Sequence, residues 1–283
     1  MAEFIDAHGI AIIYDVHPAD GPVRGVVQLA HGLGEHAGRY GSLIAALTGA
    51  GYTVYADDHR GHGRTGMKQH GGKVDKLGTL GPGGLRATQA AMWQFTELIR
   101  AENPGVPLIL IGHSWGSFLS QWLLNRHAEA FDAVVLSGSA LLTPTSLNAL
   151  PLNRAFDGPH ATGLEWLATD EAIWSEFRAD PLTTEKPLLK LFGFADAMRI
   201  YELPAKRLPR DVPVLLMVGS DDPVGGPVSV HKLAKAYRER SGLTDITTLV
   251  YPDDRHEIFN EKDQENVRGD LLAWLDRRIS PAP

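Results

Sequence analysis

The stretch Pro107-Leu-Ile-Leu-Ile-Gly-His-Ser-Trp-Gly-Ser117 constrains the fold more than any other part of this chain. Residues 108–111 are continuously apolar, as a buried strand requires, and residues 118–127 carry apolar side chains at helical spacing. Between them stands Gly112-His113-Ser114-Trp115-Gly116, so the chain turns from strand to helix on a serine. That turn forces the serine into a strained, exposed conformation, and a glycine on each side permits close approach of strand and helix. Serine is a poor nucleophile without a base and an orienting acid. The stretch therefore predicts an acid and a histidine further along, each after a strand. The plainer alternative is a tight βα turn in which the glycines serve packing alone.

The rest of the chain alternates in the same way. Strand-like runs fall at 11–16, 26–30, 52–56, 108–111, 133–136, 214–218 and 246–251, and helical patterns at 40–50, 85–100, 118–127, 228–240 and 264–279. Several of the strands are almost wholly apolar, which indicates a mostly parallel sheet flanked by helices on both faces, an α/β fold. The run at 11–16 alternates and is expected to be an antiparallel edge. The pattern breaks between 141 and 210, where prolines mix with helix-like pieces and large apolar residues including Trp166, Trp174, Phe177, Phe192 and Phe194. That stretch is too apolar for a disordered linker. It is expected to be a helical insertion, a cap or lid over the C-terminal edge of the sheet, where open α/β sheets bind ligands. The expected division is a core of residues 1–140 and 211–283 with a cap at 141–210.

Length and charge narrow the function. The chain has 283 residues, enough for one large α/β domain with an insertion. Its net charge of −7 argues against a nucleic-acid partner. There is no run of about 18 apolar residues for a transmembrane helix, and the acidic start, Met1-Ala-Glu-Phe-Ile-Asp6, lacks the features of a signal peptide. The chain contains no cysteine, so disulfides, a thiolate nucleophile and Cys-ligated metal are excluded. A cytoplasmic location is expected.

The acid is sought after a strand. Residues 133–136 lead into Ser137-Gly-Ser-Ala140, which has none, whereas 214–218 lead into Gly219-Ser-Asp-Asp-Pro223. The acid is Asp221 or Asp222, with Asp222 favoured and the other aspartate available to cap the turn. Only His231 and His256 follow it, as the order Ser…Asp…His demands. His231 lies in a helical pattern and is explained as a helix-surface residue. His256 follows the last strand, which places it on a loop at the catalytic edge. An oxyanion hole needs two preorganised amides. One is that of Trp115, after the serine; the other is expected from the glycine-bearing loop His31-Gly-Leu-Gly34, at Leu33.

Two other motifs fail. Gly61-His-Gly-Arg-Thr-Gly66 matches the dinucleotide pattern, but it does not stand at a strand end and lacks a strand-end acid about 20 residues on. His256-Glu-Ile-Phe-Asn260 opens like a zinc-protease motif without its second histidine, so no metal site is supported.

Five blocks resemble the serine α/β-hydrolases of the monoacylglycerol lipase and lysophospholipase group: His31-Gly-Leu-Gly-Glu-His-Ala-Gly-Arg-Tyr40, Asp58-His-Arg-Gly-His-Gly63, Gly112-His-Ser-Trp-Gly116, Gly219-Ser-Asp-Asp222 and His256-Glu-Ile-Phe-Asn-Glu261. They run in family order over nearly the whole chain, and the first is the most specific. The resemblance implies Ser114 as nucleophile, Asp222 as acid, His256 as base, Leu33 and Trp115 as oxyanion donors, and a helical cap. Glu35 and Arg39 match positions that in such lipases approach the polar glycerol end of the substrate; helix N-terminal charge and packing is the alternative. Trp115 is bulkier than is usual at its position, and its ring is expected to narrow the acyl site. The cap shows no motif of the group, and Trp166 and Trp174 are its candidates for lining the pocket.

The expected activity is cofactor-free hydrolysis of a carboxylic ester through an acyl-enzyme. The expected substrate is a small-molecule monoester with an apolar arm, such as a monoacylglycerol, with transient contact of the cap with a lipid surface. Short-chain or aromatic-acid monoesters such as a monoalkyl phthalate, and amides or peptides, are alternatives within the same chemistry. A catalytically silent ligand-binding relative is the alternative of a different class, and such proteins usually lose part of the triad that this chain retains.

Overall fold

The computed structural model describes residues 1–148 and 150–279, and in it the apolar runs join into a single eight-stranded sheet. The first half of the chain forms β1 (Ala2–Ile5), β2 (Ala11–His17), β3 (Gly25–Ala30), α1 (Gly41–Gly49), β4 (Tyr52–Asp57), α2 (Gly63–Gln69) and α3 (Gly84–Glu102). Then come β5 (Leu108–His113), α4 (Trp115–His127), β6 (Ala133–Ser137), α5 (Glu171–Ala179) and α6 (Leu188–Met198). The chain ends in β7 (Val214–Gly219), α7 (Gly226–Ala236), β8 (Ile246–Tyr251) and α8 (Gln264–Asp276).

The strand order is β1-β2-β4-β3-β5-β6-β7-β8, with β1 and β2 antiparallel and the strands from β4 to β8 mutually parallel. The run at 11–16 is antiparallel as expected, but it is not the edge, because β1 pairs outside it. β1 is only four residues long and buries only Phe4, too little for a periodic signal. α2 also lacks an apolar stripe; it buries Gly63, Thr65 and Gly66. The Thr65 hydroxyl accepts from the Ile13 amide at 2.8 Å, and a Cβ on Gly66 would strike the Gly61 carbonyl. The glycines of the dinucleotide-like motif thus serve close backbone packing.

Strand residues alternate between two cores. Val26, Leu108, Leu110, Val134, Leu216 and Val218 face Phe95, Leu119, Leu123 and Leu233 of α3, α4 and α7. Val27, Leu29, Ile109, Ile111, Leu215 and Met217 face Leu43 and Leu47 of α1 and Leu271 and Trp274 of α8. Burial on both faces accounts for the near-continuous apolar strands.

The topology places the site. From β3 the chain goes through α1 to β4 on one side, then returns through α3 to β5 on the other side of β3. Strand order reverses at β3, and the ends of β3 and β5 stand side by side, Ala30 opposite Gly112. A crevice opens outside the strands at such a switch point. Both the loop at residues 31–34 and Ser114 emerge there.

The segment at 141–210 lies between β6 and β7, with Ala149 outside the described residues. It is less helical than expected. α5 and α6 are short, and α6 is broken at Gly193, where φ is 71°. Pro144, Pro151, Pro159, Pro181, Pro187 and Pro204 divide the rest, since proline removes an amide donor and obstructs the preceding turn. No described helix is long and apolar enough to cross a membrane.

Candidate active site

Ser114 joins β5 to α4 with φ 52° and ψ −124°, outside the regions a side chain favours, a strain of about 1–3 kcal/mol. Its surroundings hold it there. Its amide donates to the Ser137 carbonyl at 2.9 Å, and its own carbonyl accepts from the Ser117 amide at 2.9 Å and the Ser117 hydroxyl at 2.6 Å. The flanking glycines are required by contact: a Cβ on Gly112 would meet Ser120 Oγ, and one on Gly116 would meet the Ala30 and His31 carbonyls.

Asp222 and His256 come together from the ends of β7 and β8. His256 Nδ1 lies 3.0 Å from Asp222 Oδ1, and the same oxygen accepts from the Val224 amide at 2.8 Å. An ionised carboxylate can only accept, so Nδ1 carries the proton and Nε2 presents its lone pair. Nε2 is buried and makes no hydrogen bond among the described residues. Burial disfavours the imidazolium of His256, but the charge and hydrogen bond of Asp222 outweigh it and raise its pKa above the ordinary 6.5. The side chain of the neighbouring acid Asp221 is instead exposed at the turn, its backbone amide donating to the Asp254 carbonyl at 2.9 Å. His231 lies within α7, away from this cluster.

Ser114 and His256 line one cavity of about 130 Å³ together with Leu33, Glu35, Trp166 and Glu257. The Trp166 ring packs tilted against the His256 ring, centroids 5.0 Å apart at 39°, and the His113 ring lies 4.7 Å away. Burial, aided by the nearby His256, pushes the His113 pKa well below its ordinary value, so His113 is neutral. Gly138, at φ 55°, makes room for both rings; a Cβ there would stand 2.8 Å from His256 Cε1 and 3.0 Å from His113 Cε1. Among the described residues the Leu33 and Trp115 amides donate to no protein group, and that of Trp115 opens α4, whose N-terminal dipole favours a negative charge.

Three side chains singled out in the sequence lie elsewhere. The Trp115 ring does not narrow the cavity. It is 1% exposed and turns into the core against His59, His62 and Phe192, where a large aromatic surface is best buried. Trp174 faces an open groove on the insertion beside His160 and Arg178, its Nε1 donating to the Ala168 carbonyl at 2.8 Å. Arg39 is behind the cavity wall. Its Nη1 donates to Glu35 Oε2 at 2.6 Å and to Glu257 Oε1 at 2.7 Å, and its Nη2 to Glu257 Oε2 at 2.8 Å. Glu257 stands in the His256–Glu261 block, but the sequence assigns it no role of its own, because an acid after Asp253-Asp-Arg-His256 looks like part of a solvated charged turn. Only its offset from the catalytic-type histidine could have marked it.

The insertion is tied to both loops. The Thr184 amide donates to the Gly34 carbonyl at 2.8 Å, and His36 Nε2 lies 2.8 Å from Asp180 Oδ2. On the other side the Glu257 amide donates to the Leu167 carbonyl at 2.7 Å, and Arg255 Nη1 to the Glu165 carbonyl at 2.6 Å.

The family model described as "Serine aminopeptidase, S33" matches residues 21–263, a span that begins just before β3 and ends after the His256 loop. The chain belongs to this hydrolase family. Among its relatives is a monoacylglycerol lipase of Mycolicibacterium smegmatis, 30% identical over 96% of this chain and 95% of that protein. A monoglyceride lipase of Mus musculus is 25% identical over 100% of this chain and 92% of its own. The solved structure of a soluble variant of the Saccharomyces cerevisiae monoglyceride lipase, in complex with a substrate analog, superposes with a TM-score of 0.75 at 25% identity, covering 96% of this chain and 93% of that one. Family, relatives and fold together make this hydrolase a carboxylic ester hydrolase of the α/β-hydrolase fold.

Proposed function

We propose that this hydrolase cleaves a neutral carboxylic monoester, a monoacylglycerol, through an acyl-enzyme on Ser114. The observation that carries the reading is the Asp222–His256 hydrogen bond, with Nε2 left free at the cavity that Ser114 shares. In the first step Ser114 Oγ bonds to the ester carbonyl carbon while its proton passes to His256 Nε2. The Leu33 and Trp115 amides hold the resulting oxyanion. His256 then gives the proton to the departing alcohol, and the acyl–oxygen bond to that alcohol breaks. Water, deprotonated by His256, releases the acid and restores Ser114. Residues 141–210 act as the cap that closes this site from water.

The head group follows from charge. Glu35, Glu257 and Glu185 line the cavity, whereas the Arg39 guanidinium is not among its lining groups and is engaged by Glu35 and Glu257. A free carboxylate on the substrate would meet like charge, at a cost of several kcal/mol. This disfavours a monoalkyl phthalate and favours an uncharged polyol. A peptidase would need its acids to hold a substrate amine, and here Arg39 already engages both. The apolar arm of the substrate suits the insertion, where α6 exposes Leu189, Phe194 and Met198 for contact with a lipid aggregate.

The test is kcat/KM for monooleoylglycerol, a short p-nitrophenyl ester, a monoalkyl phthalate, lysophosphatidylcholine and an aminoacyl anilide. The monoglyceride is expected to exceed the phthalate by at least about tenfold. A phthalate or anilide preferred over the monoglyceride overturns the substrate reading.

A further inference from the structure

The buried side chains around the site include an ionic cluster for which the acyl-transfer steps have no use. Glu35 and Glu257 are 3% and 4% exposed, and the guanidinium between them bonds to both. Removing charges from water is costly, and well-packed apolar residues of similar volume commonly serve stability as well or better. The cluster therefore calls for a role besides stability.

Its connections supply one. Glu257 directly follows His256, and Asn260 Nδ2 steadies its carboxylate at 2.8 Å. Arg39 carries the link to Glu35 at 2.6 Å. Glu35 Oε1 in turn accepts from the Gly32 amide at 2.6 Å and from the Tyr40 hydroxyl at 2.6 Å. Gly32 is the residue before Leu33, and its own Cβ position stands 2.6 Å from Glu35 Oε1 and 3.1 Å from Ser114 Cβ, so no side chain fits between them. An unbroken set of charge-assisted hydrogen bonds thus joins the neighbour of the histidine to the neighbour of the oxyanion amide. The Phe177 ring closes the open side, 4.8 Å from the Arg39 guanidinium carbon. Two carboxylates share one guanidinium, so one negative charge is left uncompensated.

We propose that Glu257, acting through Arg39 on Glu35, is a positioning residue that locks the His256 loop to the Leu33 loop and keeps an uncompensated negative charge beside the imidazole. The proposal rests on Ser114 and His256 being the reacting pair. The groups facing His256 are Asp222 at Nδ1, Glu257 and Glu35 on the cavity side with Arg39 behind them, neutral His113, and the uncharged Trp166 ring. Behind Asp222, both glutamates stabilise the imidazolium that forms as Ser114 attacks. Arg39 holds Glu257 ionised despite its burial, drawing its pKa down to about 2. The charge is therefore present throughout the working pH range.

The test is a pH series of kcat and KM on a short p-nitrophenyl ester for wild type, Glu257→Gln and Arg39→Lys, with melting temperature measured on each. In Glu257→Gln, kcat is expected to fall about 10–100-fold with KM within about twofold, as for a misplaced reacting pair. Loss of the negative charge lowers the pKa of His256, so the acid limb of kcat/KM moves to lower pH. Arg39→Lys keeps the charge but loses the two-pronged contact, so kcat falls while the acid limb stays in place. Wild-type kcat and acid limb in folded Glu257→Gln overturn the proposal. If that variant does not fold, wild-type kcat in Arg39→Lys overturns it. Ser114→Ala is the control: turnover surviving there removes the catalytic reading itself, whereas an inactive Ser114→Ala with an unaltered Glu257→Gln removes only this one.

Discussion

Ser114→Ala is expected to lower kcat for ester hydrolysis by about 10⁵–10⁶-fold, leaving the residual catalysis of the oxyanion amides and binding alone. The size follows from the role. In the proposed mechanism the hydroxyl supplies the bond-forming electron pair, and the neighbouring hydroxyls are engaged elsewhere: that of Ser117 donates to the Ser114 carbonyl, and Ser139 Oγ lies 2.8 Å from Ser117 Oγ and accepts from Gln121 Nε2 at 3.0 Å. The variant is expected to fold. Alanine removes one oxygen from a cavity wall, and the hydrogen bonds that hold the turn come from the backbone of residue 114. Far-ultraviolet circular dichroism and a melting temperature near wild type would accompany the loss. Turnover within tenfold of wild type would contradict the account.

Asp222→Asn is the second large effect, with kcat expected to fall about 10³–10⁴-fold. In the proposed mechanism the carboxylate has two tasks. It accepts from Nδ1, which leaves Nε2 as the base, and its charge stabilises the imidazolium. An amide can present its NH₂ to Nδ1, which places the proton on Nε2 and makes that nitrogen useless as a base. The pH profile carries the second signature. In the wild type the Asp222 interaction overrides burial and holds the His256 pKa above 6.5, so activity is expected to be lost as pH falls through that raised value. In Asp222→Asn the support is gone, burial prevails, and the acid limb of the residual kcat/KM moves to lower pH. An unmoved limb would show that Asp222 does not face the base. The same substitution at Asp221 is expected to change kcat less than about threefold, since that side chain is exposed at the turn.

Much of this was legible in the sequence because the features are local or forced by burial. The central strands are apolar on both faces, and each run from 26 to 251 coincides with an observed strand to within about two residues at its ends. The serine turn was legible because its glycines answer to backbone contacts, and Gly112 and Gly116 do meet neighbouring atoms. What escaped detection depends on distant partners. α2 is held by Arg64 on Asp58 and Asp15 and by Thr65 on Ile13, none of which gives a period. The histidine-rich stretches hide buried rings: the His31 and His59 rings stack at 4.0 Å, and the His59 amide donates to His31 Nε2 at 2.9 Å. The position of Trp115 suggests a pocket role, but its side-chain direction is set by the core behind α4, where the ring meets His59, His62 and Phe192. Glu257 gains its meaning only through Arg39, a residue 218 positions away in the chain. The insertion shows its apolar content in sequence but not its shape, because its short pieces are fixed by contacts with the Gly34 and His256 loops.

The central claim is that Ser114 becomes covalently acylated. The most direct measurement is peptide mass mapping of the folded protein after reaction with a fluorophosphonate, with Asp222→Asn in parallel. The account predicts one adduct per chain, on the peptide that contains Ser114, formed far more slowly in Asp222→Asn. A fully folded wild type that takes up no adduct, or takes it up on another serine, would contradict the account.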